Sequence, residues 1–190
     1  MNRRKAIVNL LVSLGGITSV FTGYKFYSLH KKPHLDLLDR KQPLLNELAE
    51  TIIPETDTPG AKEAGVGAYL VMLVKECTDT KSQNRFLQGL EDLEKYTISK
   101  YDKSFVDCNA DQRENILLHF EKEGNPYKGL AGKVQQRLLG HSFFTTLRNY
   151  TVTAYCSSQK GATQGLVYDY IPGKFENTGL QPGQKSWSTN

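Results

Sequence analysis

Histidine and cysteine are the residue types in this 190-residue chain that could bind a metal or act as nucleophiles. The four histidines, His30, His34, His119 and His141, form no HExxH or ExxH motif, and the three cysteines form no CxxC pair. Metal sites and metallohydrolases need ligands at such spacings. The sequence therefore predicts no metal site, and His119 and His141 are predicted to be ordinary core or surface side chains.

Other chemical motifs are also missing from the sequence. It contains no GxGxxG or GxxxxGK[ST] loop for nucleotide phosphates, no CxxCH for covalent haem and no GxSxG elbow for a serine nucleophile. Its carboxylates cluster on charged helix faces, as at residues 91–94 and 121–123, where solvated surface is the ordinary interpretation. We therefore predict no catalytic, cofactor-binding or metal-binding residue in this chain.

The net charge of +4 is concentrated at the N-terminus. Residues 1–32 contain six basic residues and no acidic one, so the rest of the chain is mildly acidic. A nucleic-acid-binding domain needs a basic face to neutralise phosphates. The body of the protein is therefore predicted not to bind nucleic acid.

The first thirty residues have the layout of an export signal. Arg3 and Arg4 precede an uncharged stretch, residues 6–24, that glycines and hydroxyl side chains make only moderately apolar. Consecutive arginines indicate the twin-arginine route, and no small-residue cleavage site follows. We predict that residues 1–30 are a signal or an uncleaved anchor in the inner membrane, which would place the protein in the periplasm or cell envelope. The alternative is an amphipathic first helix of a cytosolic domain.

The body of the chain is predicted to be all-α, a compact bundle of about five helices over residues 43–158. A polar linker at 31–42 precedes it, and an extended, irregular tail at 159–190 follows it. Apolar spacing predicts helices ending before Pro54, over 66–77, from a capping box at Thr80 and Gln83, and from a second box at Asn109 and Gln112. The apolar residues between 134 and 155 predict one long helix at the centre of the bundle.

The segment 54–61 predicts a rigid turn, because two prolines and a glycine accompany three hydrogen-bonding side chains. Asp57 or Thr58 is expected to cap the backbone while Pro59 fixes φ. Such a loop could be only a well-built helix connection, or it could serve binding, since a stiff loop loses little entropy on association. The odd cysteine count leaves one thiol that is free or bonds another chain, unless all three thiols are buried as small apolar groups.

Three stretches of the sequence resemble the gluconate 2-dehydrogenase subunit 3 family. They are residues 48–61, LAETIIPETDTPGA, followed by Gly65 and Val66; residues 143–148, FFTTLR; and residues 155–161, YCSSQKG, with 168–173, YDYIPG. The resemblance covers roughly residues 44–175 in the order of the family. Cys156 departs from it, because tyrosine or threonine is frequent at this position in the family.

The resemblance implies a non-catalytic small subunit that exports, matures and stabilises the large subunit of a periplasmic sugar or sugar-acid dehydrogenase. That large subunit would be a glucose-methanol-choline-type oxidoreductase carrying FAD. A c-type cytochrome with haem c often joins such complexes, and the twin-arginine translocase would be a further partner. Cys156 raises the hypothesis of an intersubunit disulfide. The predicted partner interface consists of Pro54, Thr56, Asp57, Pro59 and Gly60 in the loop, and Tyr155, Cys156, Tyr168, Tyr170 and Phe175 in the C-terminal part.

Two other functions remain open at this stage. The chain could be a free-standing envelope oxidoreductase with an unrecognised cofactor site, or a membrane-tethered structural protein with no redox partner. A coloured, cofactor-loaded protein after purification of the chain alone would favour the enzyme. A flavoprotein gene beside this one would favour the subunit over the structural protein.

Overall fold

The computed structural model describes residues 27–124, 129–169 and 182–189 of the chain. These residues are mainly helical, which confirms the all-α prediction. The α-helices with defined bounds are α1 Asp36–Arg40, α2 Gln42–Ile52, α3 Val66–Glu76, α4 Thr80–Tyr101, α5 Ala110–Gly124, α6 Gly129–Leu139 and α7 Phe143–Ser157. None of the described helices is both long and apolar enough to cross a membrane. The predicted signal or anchor, with Arg3 and Arg4, lies outside the described residues.

The starts of two helices show how closely local sequence predicts a cap. Asn109 and Gln112 form the predicted box: the Asn109 side chain accepts from the Gln112 amide at 2.9 Å, and the Gln112 side chain accepts from the Asn109 amide at 3.1 Å. The box predicted for α4 is wrong. Asp79 caps this helix, because its carboxylate accepts hydrogen bonds from the backbone amides of Lys81 and Ser82. The Gln83 side chain instead donates to carbonyls at the end of α3.

The single long helix predicted over residues 134–155 is two helices in the structure. Gly140 lies between α6 and α7 with a φ of 82°, a left-handed conformation that ends a helix. Ser142 then caps α7 by accepting from the Thr145 amide at 3.3 Å. Apolar residues are frequent on both sides of this break, which is why the sequence predicts one helix.

Helix α7 occupies the centre of the bundle, as expected for its apolar face. It packs against α2, α3, α4 and α5. Leu147 is fully buried among core side chains from these helices, including Leu48, Leu70, Phe86 and Ile116. Burying such a set of large apolar side chains supplies the main favourable free energy of folding.

The predicted linker, residues 31–42, is part of the folded body in the structure. Helix α1 lies within it, and the Leu38 side chain is 0% exposed in the main core. Still earlier in the chain, residues 27–30 are helical and Leu29 is 2% exposed. The folded body therefore begins before residue 43, because Leu38 belongs to the main core and Leu35 packs against it.

The C-terminal part has more local structure than an irregular tail. A π-helix spans Gly161–Gly165, and β1, Val167–Asp169, pairs in parallel with β2, Trp187–Thr189, with Val167 opposite Trp187. Residues 170–181, which include Tyr170 and Phe175 of the predicted interface, lie outside the described residues.

Candidate functional site

The loop between α2 and α3, residues 53–65, is closed by its own backbone. The Ala61 amide donates to the Ile53 carbonyl at 2.9 Å, and the Thr56 amide donates to the Thr58 carbonyl at 3.0 Å. Proline at positions 54 and 59 restricts φ between these bonds. The rigid turn predicted from the sequence is therefore formed, although its capping differs. Within the loop, the Thr56 hydroxyl oxygen, rather than Asp57 or Thr58, accepts a hydrogen bond from a backbone amide, that of Thr58, at 3.4 Å.

A carboxylate from α2 holds both halves of this loop. One oxygen of Glu50 accepts from the Glu55 amide at 2.9 Å, and the other accepts from the Lys62 amide at 2.8 Å. Gly60 makes room for this carboxylate, since a Cβ there would lie 2.3 Å from the nearer Glu50 oxygen and 2.7 Å from the Glu55 nitrogen. Any larger residue at position 60 would displace the Glu50 side chain or the loop backbone.

The centre of the loop is held from the other side by α7. The Tyr155 hydroxyl donates to the Pro59 carbonyl at 2.8 Å in a buried contact. Below it, Ala61 and Val66 pack with Ala154 in a second apolar cluster, separate from the main core. Two of the stretches that carry the family resemblance, residues 48–61 and 155–161, are thus joined in space by one buried hydrogen bond.

An ion-pair network ties the base of the loop to α5. Glu47 accepts from Arg113 at 2.7 Å and also contacts the Lys62 ammonium. Burial alone would raise the pKa of the Glu47 carboxyl, but the hydrogen bond from Lys62 and the charge of Arg113 outweigh it and lower that pKa. Glu47 therefore stays ionised and keeps the network intact at neutral pH.

The tip of the loop faces solvent. Pro54, Glu55, Thr56 and Asp57 are exposed, and the Thr56 hydroxyl donates to the Asp57 carboxylate at 3.0 Å. The hydrogen bonds of Glu50 and Tyr155 to the loop leave this tip few alternative conformations. The structure thus presents two carboxylates and a proline on a preorganised surface, which suits contact with another protein.

The predicted interface residues divide into two groups in the structure. Pro54, Thr56 and Asp57 are accessible, and Cys156 and Tyr168 are partly so. Pro59, Gly60 and Tyr155 are buried within the chain, where they shape the loop. Such burial depends on the Tyr155–Pro59 contact across 96 residues, which no local pattern reveals.

Glu47, Glu50 and Arg113, whose side chains hold the loop in place, are not predicted from the sequence. The available signal was weak: two acids spaced three apart near the end of α2, just before the proline-rich turn. Carboxylates near a helix C-terminus oppose the helix dipole, so acids there suggest a compensating partner. The structure supplies this partner as loop amides and basic side chains.

The cysteine and histidine side chains do not converge. Cys77 is exposed, Cys108 is buried and Cys156 is half-buried, and all three are free thiols. His119 stacks on Tyr96 with ring centroids 4.1 Å apart, as an ordinary helix-surface contact. Across residues 27–124, 129–169 and 182–189, no group of three or more His, Cys, Asp or Glu side chains is placed to bind a metal ion.

The fold and the clamped loop define a small, mainly helical protein with a preorganised surface. A model of the family described as Gluconate 2-dehydrogenase subunit 3 matches residues 39–173, which is more than half of the chain. The chain belongs to the gluconate 2-dehydrogenase subunit 3 family, and the family description makes it an accessory subunit of a multi-subunit dehydrogenase complex. No curated protein and no solved structure matches the chain.

Proposed function

We propose that this chain is the non-catalytic small subunit of a flavin-dependent sugar or sugar-acid dehydrogenase of the cell envelope. Its role is to export, mature and stabilise a glucose-methanol-choline-type large subunit that holds FAD, with a haem c cytochrome as a further subunit of the complex. The observation that carries this proposal is the family match over residues 39–173, which includes both the clamped loop and the helix that secures it.

The 53–65 loop is the surface that we assign to the large subunit. Its exposed tip carries Glu55 and Asp57, while Glu50, Tyr155 and the loop backbone hold it in one shape. A preorganised loop binds with a smaller loss of conformational entropy than a flexible one. Two exposed carboxylates favour a partner surface with arginine or lysine side chains, and their attraction would also speed association.

Export is assigned to the N-terminal segment. Arg3 and Arg4 precede the uncharged residues 6–24, and this order supports passage through the twin-arginine translocase with or without later anchoring. A large subunit that is bound before export would cross the membrane together with this chain. Changing Arg3 and Arg4 to lysine is expected to leave both chains in the cytoplasm, whereas independent export of the large subunit would contradict this role.

The test of the binding role is expression of the tagged full chain in its own cells, followed by purification from the envelope and identification of the proteins that co-purify. We expect the wild-type chain to recover a large subunit that contains FAD. Asp57→Lys should reduce this recovery through charge repulsion. Glu76→Lys is the matched control, because Glu76 is an exposed acid at the opposite end of α3 from the loop, where a basic residue suits the helix dipole.

Two further measurements distinguish the subunit from the alternative functions. The chain purified alone should be colourless and should not oxidise sugars, and turnover by the isolated chain would refute the proposal. On non-reducing gels, Cys156→Ser should remove any band that joins this chain to the large subunit. An unchanged band pattern would remove the disulfide hypothesis and leave the binding role intact.

A further inference from the structure

A cleft lies on the helical bundle away from the 53–65 loop. It has a volume of about 330 Å³ and is bordered by α4, the end of α5 and the start of α7. Arg85 and Asp92 line it from α4, two helical turns apart, which corresponds to roughly 10 Å along the axis. Phe120, Phe143 and Phe144 contribute an apolar wall. Glu123 also lines the cleft, which therefore combines one basic group, an apolar surface and two acidic groups.

Arg85 is a partly buried cation without a counter-ion in the described part of the chain. One guanidinium nitrogen, Nη1, donates to the Gly140 carbonyl at 2.6 Å. No carboxylate oxygen of a described residue lies within 4.0 Å of the guanidinium. Arg113, another partly buried arginine, has a Glu47 oxygen at 2.7 Å. Burial lowers the pKa of Arg85, which reflects a charge that has lost water without gaining an anion.

The chain segments that adjoin the cleft cannot provide the anion from their side chains. Leu29 and Gly124 border the cleft. No aspartate or glutamate occurs in residues 1–32, which include Leu29. None occurs in residues 125–128, which follow Gly124. The carboxylates that do line the cleft, Asp92 and Glu123, are exposed and form no ion pair with Arg85. Neither these segments nor the described carboxylates supply an anion for Arg85, which leaves the cleft able to receive one from a partner chain.

We propose that this cleft receives an aspartate or glutamate side chain of another subunit of the complex, paired with Arg85. A guanidinium binds a carboxylate through two parallel hydrogen bonds, and buried arginines are frequent energetic centres of protein interfaces. Asp92 and Glu123 would repel a free anion but would attract a basic residue of the same partner segment, roughly 10 Å from the acidic one. An apolar side chain between them would cover the phenylalanine wall. This assignment rests on the proposed function as a subunit.

The test compares Arg85→Gln with Arg40→Gln in the full chain. Arg40 is an exposed arginine at the end of α1 that does not line the cleft. We expect Arg85→Gln to weaken binding of the large subunit roughly 10- to 100-fold. The melting temperature of the free subunit should change little, because Arg85→Gln loses the hydrogen bond to the Gly140 carbonyl but also removes a partly buried charge without a counter-ion among the described residues. Arg40→Gln should change neither quantity.

A second measurement follows Arg85 directly. A dicarbonyl reagent that modifies guanidinium groups should react with Arg85 in the free subunit, and the large subunit should protect it, as read by mass spectrometry. Wild-type affinity of Arg85→Gln or an unprotected Arg85 in the complex would each overturn the assignment. Protection by inorganic phosphate alone would also overturn it, since the cleft would then be a small-anion site. Failure of the wild-type chain to bind the large subunit would instead refute the proposed function.

Discussion

Replacing Glu50 by glutamine should loosen the 53–65 loop at both of its ends. The carboxylate accepts one hydrogen bond from the Glu55 amide at 2.9 Å and one from the Lys62 amide at 2.8 Å. Glutamine has nearly the same shape but keeps only one acceptor oxygen, and its NH₂ group would face the other backbone N–H. One hydrogen bond is lost and the remaining one no longer involves a charge.

The magnitude follows from the type of bond that is removed. Hydrogen bonds to charged groups contribute about 1.5–3 kcal/mol each, and Glu50 is only partly buried, so we expect a loss of about 2 kcal/mol in the free energy of unfolding. For a chain of this length, this corresponds to a fall of roughly 4–8 °C in melting temperature. The amides of Glu55 and Lys62 should also exchange with deuterium faster than in the wild type, because one of them loses its acceptor and the other keeps only an uncharged one.

The control is Glu91→Gln on α4. Glu91 makes an exposed helix-surface pair with Lys95 at 3.9 Å, so its removal should change the free energy of unfolding by less than about 0.5 kcal/mol. The reasoning would be refuted if Glu50→Gln matched this control in melting temperature and left the exchange of the two loop amides unchanged. The loop would then be held by its prolines and by α7 alone.

Three further predictions concern burial, the hydroxyl clamp and pH. Leu38→Ala should lower the free energy of unfolding by about 3 kcal/mol because it leaves a cavity in the core. The control is Leu37→Ala at the partly exposed neighbouring position, which should cost under about 1 kcal/mol. Equal effects of the two substitutions in thermal melts would mean that residues 31–42 are a linker. Tyr155→Phe should lower the free energy of unfolding in urea by about 1–2 kcal/mol, since the buried Pro59 carbonyl loses its hydrogen-bond donor. Tyr69→Phe, at a partly exposed position, is the control and should have little effect. A similar small change in both variants would mean that the Tyr155 hydroxyl does not contribute to stability. The pKa of Glu47 is held below its ordinary value of 4.5, so its contribution to stability is complete above that pH and disappears as the pH falls through the lowered folded-state pKa. Unfolding midpoints measured between about pH 6 and 3 should therefore fall less steeply for Glu47→Gln than for the wild type, and parallel curves would contradict this pH dependence.

Much of the helical architecture could be predicted because helix formation leaves a local record. Leucines at positions 44, 45 and 48 mark the buried face of α2, and the box of Asn109 and Gln112 marks the start of α5. Where two local signals competed, the prediction failed. Asp79 is a better acceptor for the first amides of α4 than Thr80, and the left-handed Gly140 divides a stretch that is rich in apolar residues on both sides.

The family resemblance, the all-α class and the rigid turn at residues 54–61 were thus determined by the sequence by itself, because they depend on residue types at short and fixed spacings. The tertiary structure alone decided that Glu50 and Tyr155 clamp that turn, that Leu38 belongs to the core, and that Arg85 is left without a carboxylate in the described chain. Those features join residues 12 to 96 positions apart or depend on which groups lose contact with water. A hydrogen bond or a burial of this kind is set by how helices pack in three dimensions, and no local pattern of residues records it.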